Sequence, residues 1–305
     1  FCSSGLQAVA LAADRIRLGE ADLMLAGGTE SMSMVPMMGN KVAMSPKVFS
    51  DDHVNIAYGM GITAEKVAEE WNVSRADQDA FALSSHRKAL AAIAAGEFKD
   101  EITPYDIVSH VPDLGENVIR VREALIDTDE GPRPDTNLDG LAKLRPVFRN
   151  GGSVTAGNSS QMSDGAAAVL LASEAAIKQY GLTPLARFVG FSVAGVRPEV
   201  MGIGPIAAIP KALAQAGLTK DQIDWIELNE AFAAQALAVI RDIGLDPAKV
   251  NPLGGAIALG HPLGATGAVR TATIVHGMRR RQQKYGMVTM CIGTGMGAAG
   301  IFEAL

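Results

Sequence analysis

Trp225-Ile226-Glu227-Leu228-Asn229-Glu230-Ala231-Phe232-Ala233-Ala234-Gln235 reads as a short apolar strand that breaks at an asparagine and continues as a helix. An aromatic and a β-branched residue open the run, and small apolar residues at helical spacing carry it to about residue 243. Asn229 stands at the junction, where its side chain makes a good N-cap. Downstream, a glycine-rich loop over 252–264 feeds a helix that reaches about residue 281, and strands follow at 287–291 and 298–303. Upstream, strands at 166–171 and 185–193 and a helix at 206–216 keep the same alternation. Strands that alternate with helices bury both faces of a sheet, so the fold class is α/β, a layered sheet with helices on both sides.

The same texture opens the chain. Leu6, Val9, Ala10, Ala13 and Ile16 share one helical face that ends near Gly19, and residues 21–26 form a short buried strand closed by Gly27-Gly28. Between 32 and 158 the texture changes. Most of the charges lie here, with a methionine-rich stretch and helices at 64–71 and from 75 to about 95, and the remainder reads as irregular loops. The expected organisation is therefore one α/β half from residues 1–31 and 159–183, an inserted loop domain over 32–158, and a second α/β half over 184–305. No clear repeat relates the halves, although Cys2, opening a helix, and Cys291, ending a strand, are candidates for equivalent positions.

At 305 residues, 48% hydrophobic and 20% charged, the chain has the composition of a globular protein with a large core. A net charge of −6 excludes nucleic acid as the expected partner. Two cysteines cannot make a disulfide scaffold, and no four-ligand zinc pattern is present, so no metal is expected. No apolar run reaches the ~20 residues that span a bilayer. With no targeting segment in view, the expected compartment is cytoplasmic. The chain begins without Met, one residue before a candidate nucleophile, which reads as the loss of an upstream segment. On that reading the 305-residue chain alone is expected to be poorly soluble or inactive.

The candidate chemistry sits in three glycine-flanked motifs. Cys2 opens Phe1-Cys2-Ser3-Ser4-Gly5-Leu6-Gln7 at a helix N-terminus, where free N–H groups and the helix dipole favour a thiolate and can hold an oxyanion. Cys291 begins Cys291-Ile292-Gly293-Thr294-Gly295-Met296-Gly297, whose glycines let a substrate approach the backbone and free the Gly293 N–H to face it. His261 lies in Ala258-Leu259-Gly260-His261-Pro262. Two thiols and an imidazole on tight turns are the parts of thiol acyl transfer, which needs a base for the nucleophile and donors for the oxyanion. Taken singly, each has a plainer reading: a buried small hydrophobe for Cys2, a phosphate-binding turn for the glycines, an incidental loop histidine. Arg133, Lys143, Arg145 and Arg149 form a basic cluster in an acidic chain, either a solvated face or an anion site.

Five motifs in order change the weighing. Phe-Cys-Ser-Ser-Gly at 1–5, Val154-Thr155-Ala156-Gly157-Asn158-Ser159-Ser160, Asn229-Glu230-Ala231-Phe232-Ala233, Gly254-Gly255-Ala256-Ile257-Ala258-Leu259-Gly260-His261-Pro262 and the Cys291 run resemble the motif series of the thiolases along the whole chain. The resemblance implies two similar mixed five-stranded α/β halves with an inserted loop domain, the N-terminal half incomplete, in homodimers or homotetramers. It implies an acyltransferase that cleaves 3-ketoacyl-CoA to acetyl-CoA and a shortened acyl-CoA, with no tightly bound cofactor and coenzyme A as substrate. Cys2 would be the acyl-accepting nucleophile, His261 its activator and an oxyanion donor, Cys291 the general acid/base and Asn229 the holder of an oxyanion-hole water. The Gly293 N–H would complete a second oxyanion hole with the N–H of Cys2. Ser160 matches a residue that bonds the pantetheine arm, and Arg133 one near the CoA phosphates. Tyr58-Gly59-Met60-Gly61 departs from the short-chain members, which carry a histidine between Tyr and Met-Gly. Gly59 leaves room for a longer acyl chain and tilts the reading to a degradative enzyme over an acetoacetyl-CoA-specific acetyltransferase. The rivals are a condensing enzyme of the same fold, disfavoured by Cys291, and an inactive scaffold or fragment.

Overall fold

The computed structural model describes residues 1–37, 39–50 and 53–305. In chain order the elements are α1 (Ser4–Arg17), β1 (Leu23–Ser31), α2 (Lys47–Ser50), α3 (Met60–Glu70), α4 (Arg75–Ala95), β2 (Tyr105–Asp113), β3 (Val118–Ile126), α5 (Leu138–Ala142), β4 (Asp164–Ala172), α6 (Glu174–Tyr180), β5 (Ala186–Gly195), α7 (Gly204–Ala216), β6 (Trp225–Leu228), α8 (Ala233–Ile243), α9 (Ala256–Leu259), α10 (Leu263–Arg280), β7 (Tyr285–Ile292) and β8 (Met296–Ala304).

β6, β7 and β8 are almost wholly buried because apolar residues cover the sheet on both faces. The sheet order is β5-β8-β7-β6, with β6 parallel to β7 and the other pairs antiparallel. On one face α7 and α8 bring Ala208, Ile209, Ala212, Val239 and Ile240 against Ile226, Leu228 and Ile301. On the other, α1 and α10 bring Leu6, Val9, Ile274 and Met278 against Trp225, Val288, Met290 and Phe302. Beyond α1 and α10 lies the second sheet, β1 paired antiparallel with β4 from Leu23↔Ala172 to Ser31↔Asp164. The two central helices touch backbone to backbone. A Cβ on Gly267 would lie 2.0 Å from the Leu6 nitrogen, and one on Gly5 would lie 2.6 Å from the Ala268 nitrogen.

Two helix–strand–strand units recur: α1–β1–β4 and α10–β7–β8. In each, the strand after the helix pairs antiparallel with the third element. Topology therefore matches the Cys2 end of α1 with the His261 end of α10. It does not match Cys2 with Cys291, the pairing that the sequence left open. Among the described residues the second-half sheet has four strands and an isolated parallel bridge, Ile226↔Val250, where a fifth would lie, and the first-half sheet has two strands, the incomplete half that the resemblance implies.

The connection from β1 to β4 carries α2 to α5, and part of it is more ordered than the sequence reading of loops. β2 and β3, nine residues each, form a hairpin whose turn is held by Asp113 Oδ1, accepting from the N–H groups of Gly115 and Glu116 at 3.1 and 3.2 Å. Both of its faces are exposed nearly throughout, so no hydrophobic alternation marked it as a strand pair. α6, seven residues long, also went unread; Ser173 caps it by accepting from the Ala176 N–H at 3.1 Å.

α10 meets α4's trailing loop through a buried carboxyl. Glu101 Oε1 accepts from Thr273 Oγ1 at 3.0 Å, and Oε2 has no partner among the described residues. Burial pushes Glu101 up to about 8, with Arg280 and Arg270 pulling against it. The folded state thus holds a proton that the unfolded chain releases above about pH 4.5, and stability falls as pH rises from there to 8, by up to about 1.4 kcal/mol per unit. Glu101→Gln keeps the Thr273 contact and removes the titration. The variant's melting temperature should gain on the parent's from pH 5 to pH 8; a gap that stays constant with pH would contradict this assignment.

Candidate active site

The ends of four elements build the site. β6 and β7 run parallel with Leu228 opposite Thr289, and the Asn229 N–H donates to Thr289 O at 2.9 Å, so Asn229 emerges beside the strand end that carries Cys291. α1 and α10 start side by side because of their glycine contact, so Cys2 and His261 face the same corner. The β7–β8 turn then brings the Gly293 N–H beside Cys2, where it and the Cys2 N–H favour negative charge on the sulfur. Thr294 in that turn holds a φ of +72°, a left-handed conformation uncommon for a side-chain-bearing residue.

Both thiols are free and buried, Cys2 at 9% exposed and Cys291 at 0%. Burial pushes the Cys2 thiol above its ordinary value, and the Gly293 N–H pulls it back. Burial also pushes the Cys291 thiol above its ordinary value, with the nearby Cys2 adding to the effect. Met60, Ala64, Met201, Ala231 and Phe232 pack around Cys291. His261 is driven down to about 3 by burial and by the Arg270 cation, so its ring is neutral at physiological pH. The resting pair is accordingly a thiol and a neutral imidazole.

The ring of His261 is held at both nitrogens. Nε2 lies 3.1 Å from Asn229 Nδ2 and Nδ1 lies 2.7 Å from Thr266 Oγ1. With the Asn229 amide donating, the Nε2 lone pair is the acceptor and Nδ1 carries the proton toward Thr266. Asn229 Oδ1 is buried with no partner among the described residues. Gln235 fixes Asn229 from behind, its Nε2 donating to Asn229 O at 3.1 Å. The Ser163 hydroxyl accepts from the His261 N–H at 3.1 Å.

Cys2, His261, Asn229, Cys291 and Gly293 thus converge. Ser160 lies at the rim, half-buried, with its N–H donating to Ala231 O at 2.9 Å. Arg133 is exposed, and its N–H donates to His86 Nδ1 at 3.1 Å, while nearby Gly131 packs against Ala258 O of the His261 loop. Of the basic cluster, Arg149 is tied to Glu69 at 2.9 Å. Sequence reasoning overlooked the supports: Thr266, Ser163, Gln235, His86 and Met60. Gln235 alone had a legible signal, three residues after Phe232 at a helix start, the spacing of a capping pair. No helix among the described residues is long and apolar enough to cross a membrane.

Residues 1–175 match the family described as Thiolase, N-terminal domain, and residues 182–304 match Thiolase, C-terminal domain. The chain belongs to the thiolase family. This thiolase is 53% identical over 304 residues to the 3-ketoacyl-CoA thiolase of Bacillus subtilis, covering 99% of the chain and 77% of that protein. Among solved structures it resembles the dimeric peroxisomal thiolase of Saccharomyces cerevisiae, with a TM-score of 0.88 and 45% identity over 100% of the chain and 74% of that one. It also resembles human mitochondrial 3-ketoacyl-CoA thiolase in complex with CoA, with a TM-score of 0.87 and 43% identity over 100% and 76% of the two chains.

Proposed function

We propose that this thiolase cleaves 3-ketoacyl-CoA with coenzyme A, through an acyl-Cys2 intermediate, to acetyl-CoA and a shortened acyl-CoA. The observation that carries the reading is the convergence of two buried thiols and a neutral imidazole on one corner lined by backbone N–H groups. Cys2 gives its proton to His261 as its sulfur attacks the 3-keto carbon. The C2–C3 bond breaks, the acyl group stays on Cys2, and the departing acetyl-CoA enolate takes a proton from Cys291. Incoming CoA then gives its thiol proton to Cys291 and attacks the acyl group, while His261 returns the first proton to the leaving Cys2. One thiol cannot be acylated and donate a proton in the same step, which is why two are needed.

On this reading the N–H groups of Cys2 and Gly293 hold the acyl oxygen, and His261 with Asn229 the enolate oxygen, a role supported by the Asn229–His261 contact. The high proton affinity of buried Cys291 suits a group that must also act as a strong base in the reverse, condensing direction. Ser160 and Arg133 are proposed to hold coenzyme A, the first at the pantetheine arm and the second near the phosphates. Pairing into homodimers is proposed, by likeness to the yeast enzyme.

The degradative reading over the acetoacetyl-CoA-specific one rests on Gly59. A Cβ there meets nothing within 4 Å, and the next residue, Met60, packs beside Cys291 and Gly293. The test is CoA-dependent thiolysis of 3-ketoacyl-CoA esters of rising chain length. Activity should persist beyond acetoacetyl-CoA, and Gly59→His should lower kcat/KM for long esters about tenfold or more while sparing acetoacetyl-CoA. Activity confined to acetoacetyl-CoA would move the assignment to the short-chain acetyltransferase; none from a folded sample would favour the scaffold.

A further inference from the structure

The first turn of α10 has no capping side chain and no acidic residue of its own, yet it carries the N–H groups nearest His261. Free N–H groups at a helix start favour an anion. A carboxylate from another element supplies it: Glu30 Oε2, at the end of β1, accepts from the Gly264 N–H at 3.2 Å. The other oxygen, Oε1, accepts from the N–H of Ser31 at 3.2 Å. Gly264 is also where three backbones meet. A Cβ on Gly28 would lie 2.0 Å from Gly264 O, one on Gly5 would lie 3.1 Å from it, and one on Gly264 would lie 2.9 Å from Thr29 O. The corner therefore joins β1, the start of α1 that bears Cys2 and the start of α10 that follows His261, with Glu30 as the charged group at the joint.

We propose that Glu30 is a positioning residue for the thiol chemistry: its carboxylate clamps the start of α10 against the β1–α1 corner, fixing His261 relative to Cys2.

The proposal rests on Cys2 being the nucleophile, and two variants test it. Glu30→Gln keeps an oxygen for the Gly264 N–H, and Glu30→Ala removes it. Glu30→Ala should lower kcat about tenfold to a hundredfold with KM little changed, and Glu30→Gln should recover most of that loss. Parental kcat in Glu30→Ala, or Glu30→Gln as slow as Glu30→Ala, overturns the clamp. Failure of the reading of Cys2 would show differently, as a parent chain that forms no acyl adduct on Cys2 with acyl-CoA.

Discussion

Cys2→Ala is expected to cut thiolysis by about 10⁴-fold or more and to abolish the acyl adduct, while the fold persists. The site has no substitute nucleophile. Cys291, the only other thiol in the chain, is fully buried among Met60, Met201 and Phe232, and burial holds its proton above the ordinary thiol range. The N–H groups of Cys2 and Gly293 are fixed by the start of α1 and by the β7–β8 turn, so an acyl group carried elsewhere would not reach them. Losing one sulfur from a mostly buried position costs about 1–2 kcal/mol of stability, too little to unfold a domain of this size. Cys2→Ser keeps the shape, but an alkoxide is far harder to form than a thiolate, and His261, neutral down to about pH 3, is a weak base for it. Intact-mass spectrometry after mixing with acetyl-CoA checks this: the parent should gain one acetyl group and neither variant should. Thiolysis by Cys2→Ala within tenfold of the parent would remove Cys2 from the proposed role.

What could be read from the sequence follows from how local each feature is. β6 and α4 were expected at the bounds they occupy, because an apolar run beside Asn229 and a helical run after Ser74 are settled by neighbours in sequence. The Ser74 hydroxyl caps α4 by accepting from the Asp77 N–H at 3.1 Å. The motif residues were legible because turn glycines and a helix start advertise them. The supports were not. Glu30 ends a strand 234 residues from Gly264, and Ser163 reaches the His261 N–H across 98 residues. Pairings at that separation depend on which helix starts meet, and that is set by backbone contacts such as Gly5 with Ala268. The exposed hairpin β2–β3 escaped for the opposite reason: burial marks strands in a sequence, and this pair has almost none. The equivalence of the Cys2 and His261 helices was hidden too, since the β7–β8 turn is three residues long whereas the β1–β4 connection holds the inserted helices and hairpin.

Cys291→Ala should separate the two halves of the reaction. Acyl transfer from acetyl-CoA to Cys2 uses the Cys2–His261 pair and the N–H groups of Cys2 and Gly293, none of which the substitution removes, so the adduct should form within about tenfold of the parental rate. Carbon–carbon cleavage and its reverse need a proton at the α-carbon, and that step should slow by about 10²–10⁴-fold. The contrast is read by two measurements on one sample: intact mass for acetyl-Cys2, and exchange of acetyl-CoA α-protons in D₂O for the acid/base step. The pH dependence has a definite sign. Burial and the neighbouring Cys2 hold the Cys291 proton above the ordinary thiol range, so the thiol form needed for cleavage persists across neutral pH, and the thiolate needed for α-proton removal grows as pH rises. Parental exchange should therefore climb with pH through 9, and the variant should stay flat. The alanine leaves a small void against Met60 and Phe232 and adds no buried polar group, so a loss confined to exchange cannot be assigned to unfolding. Exchange at the parental rate in Cys291→Ala would place the α-proton with another group, and the neutral ring of His261 would be the first to examine.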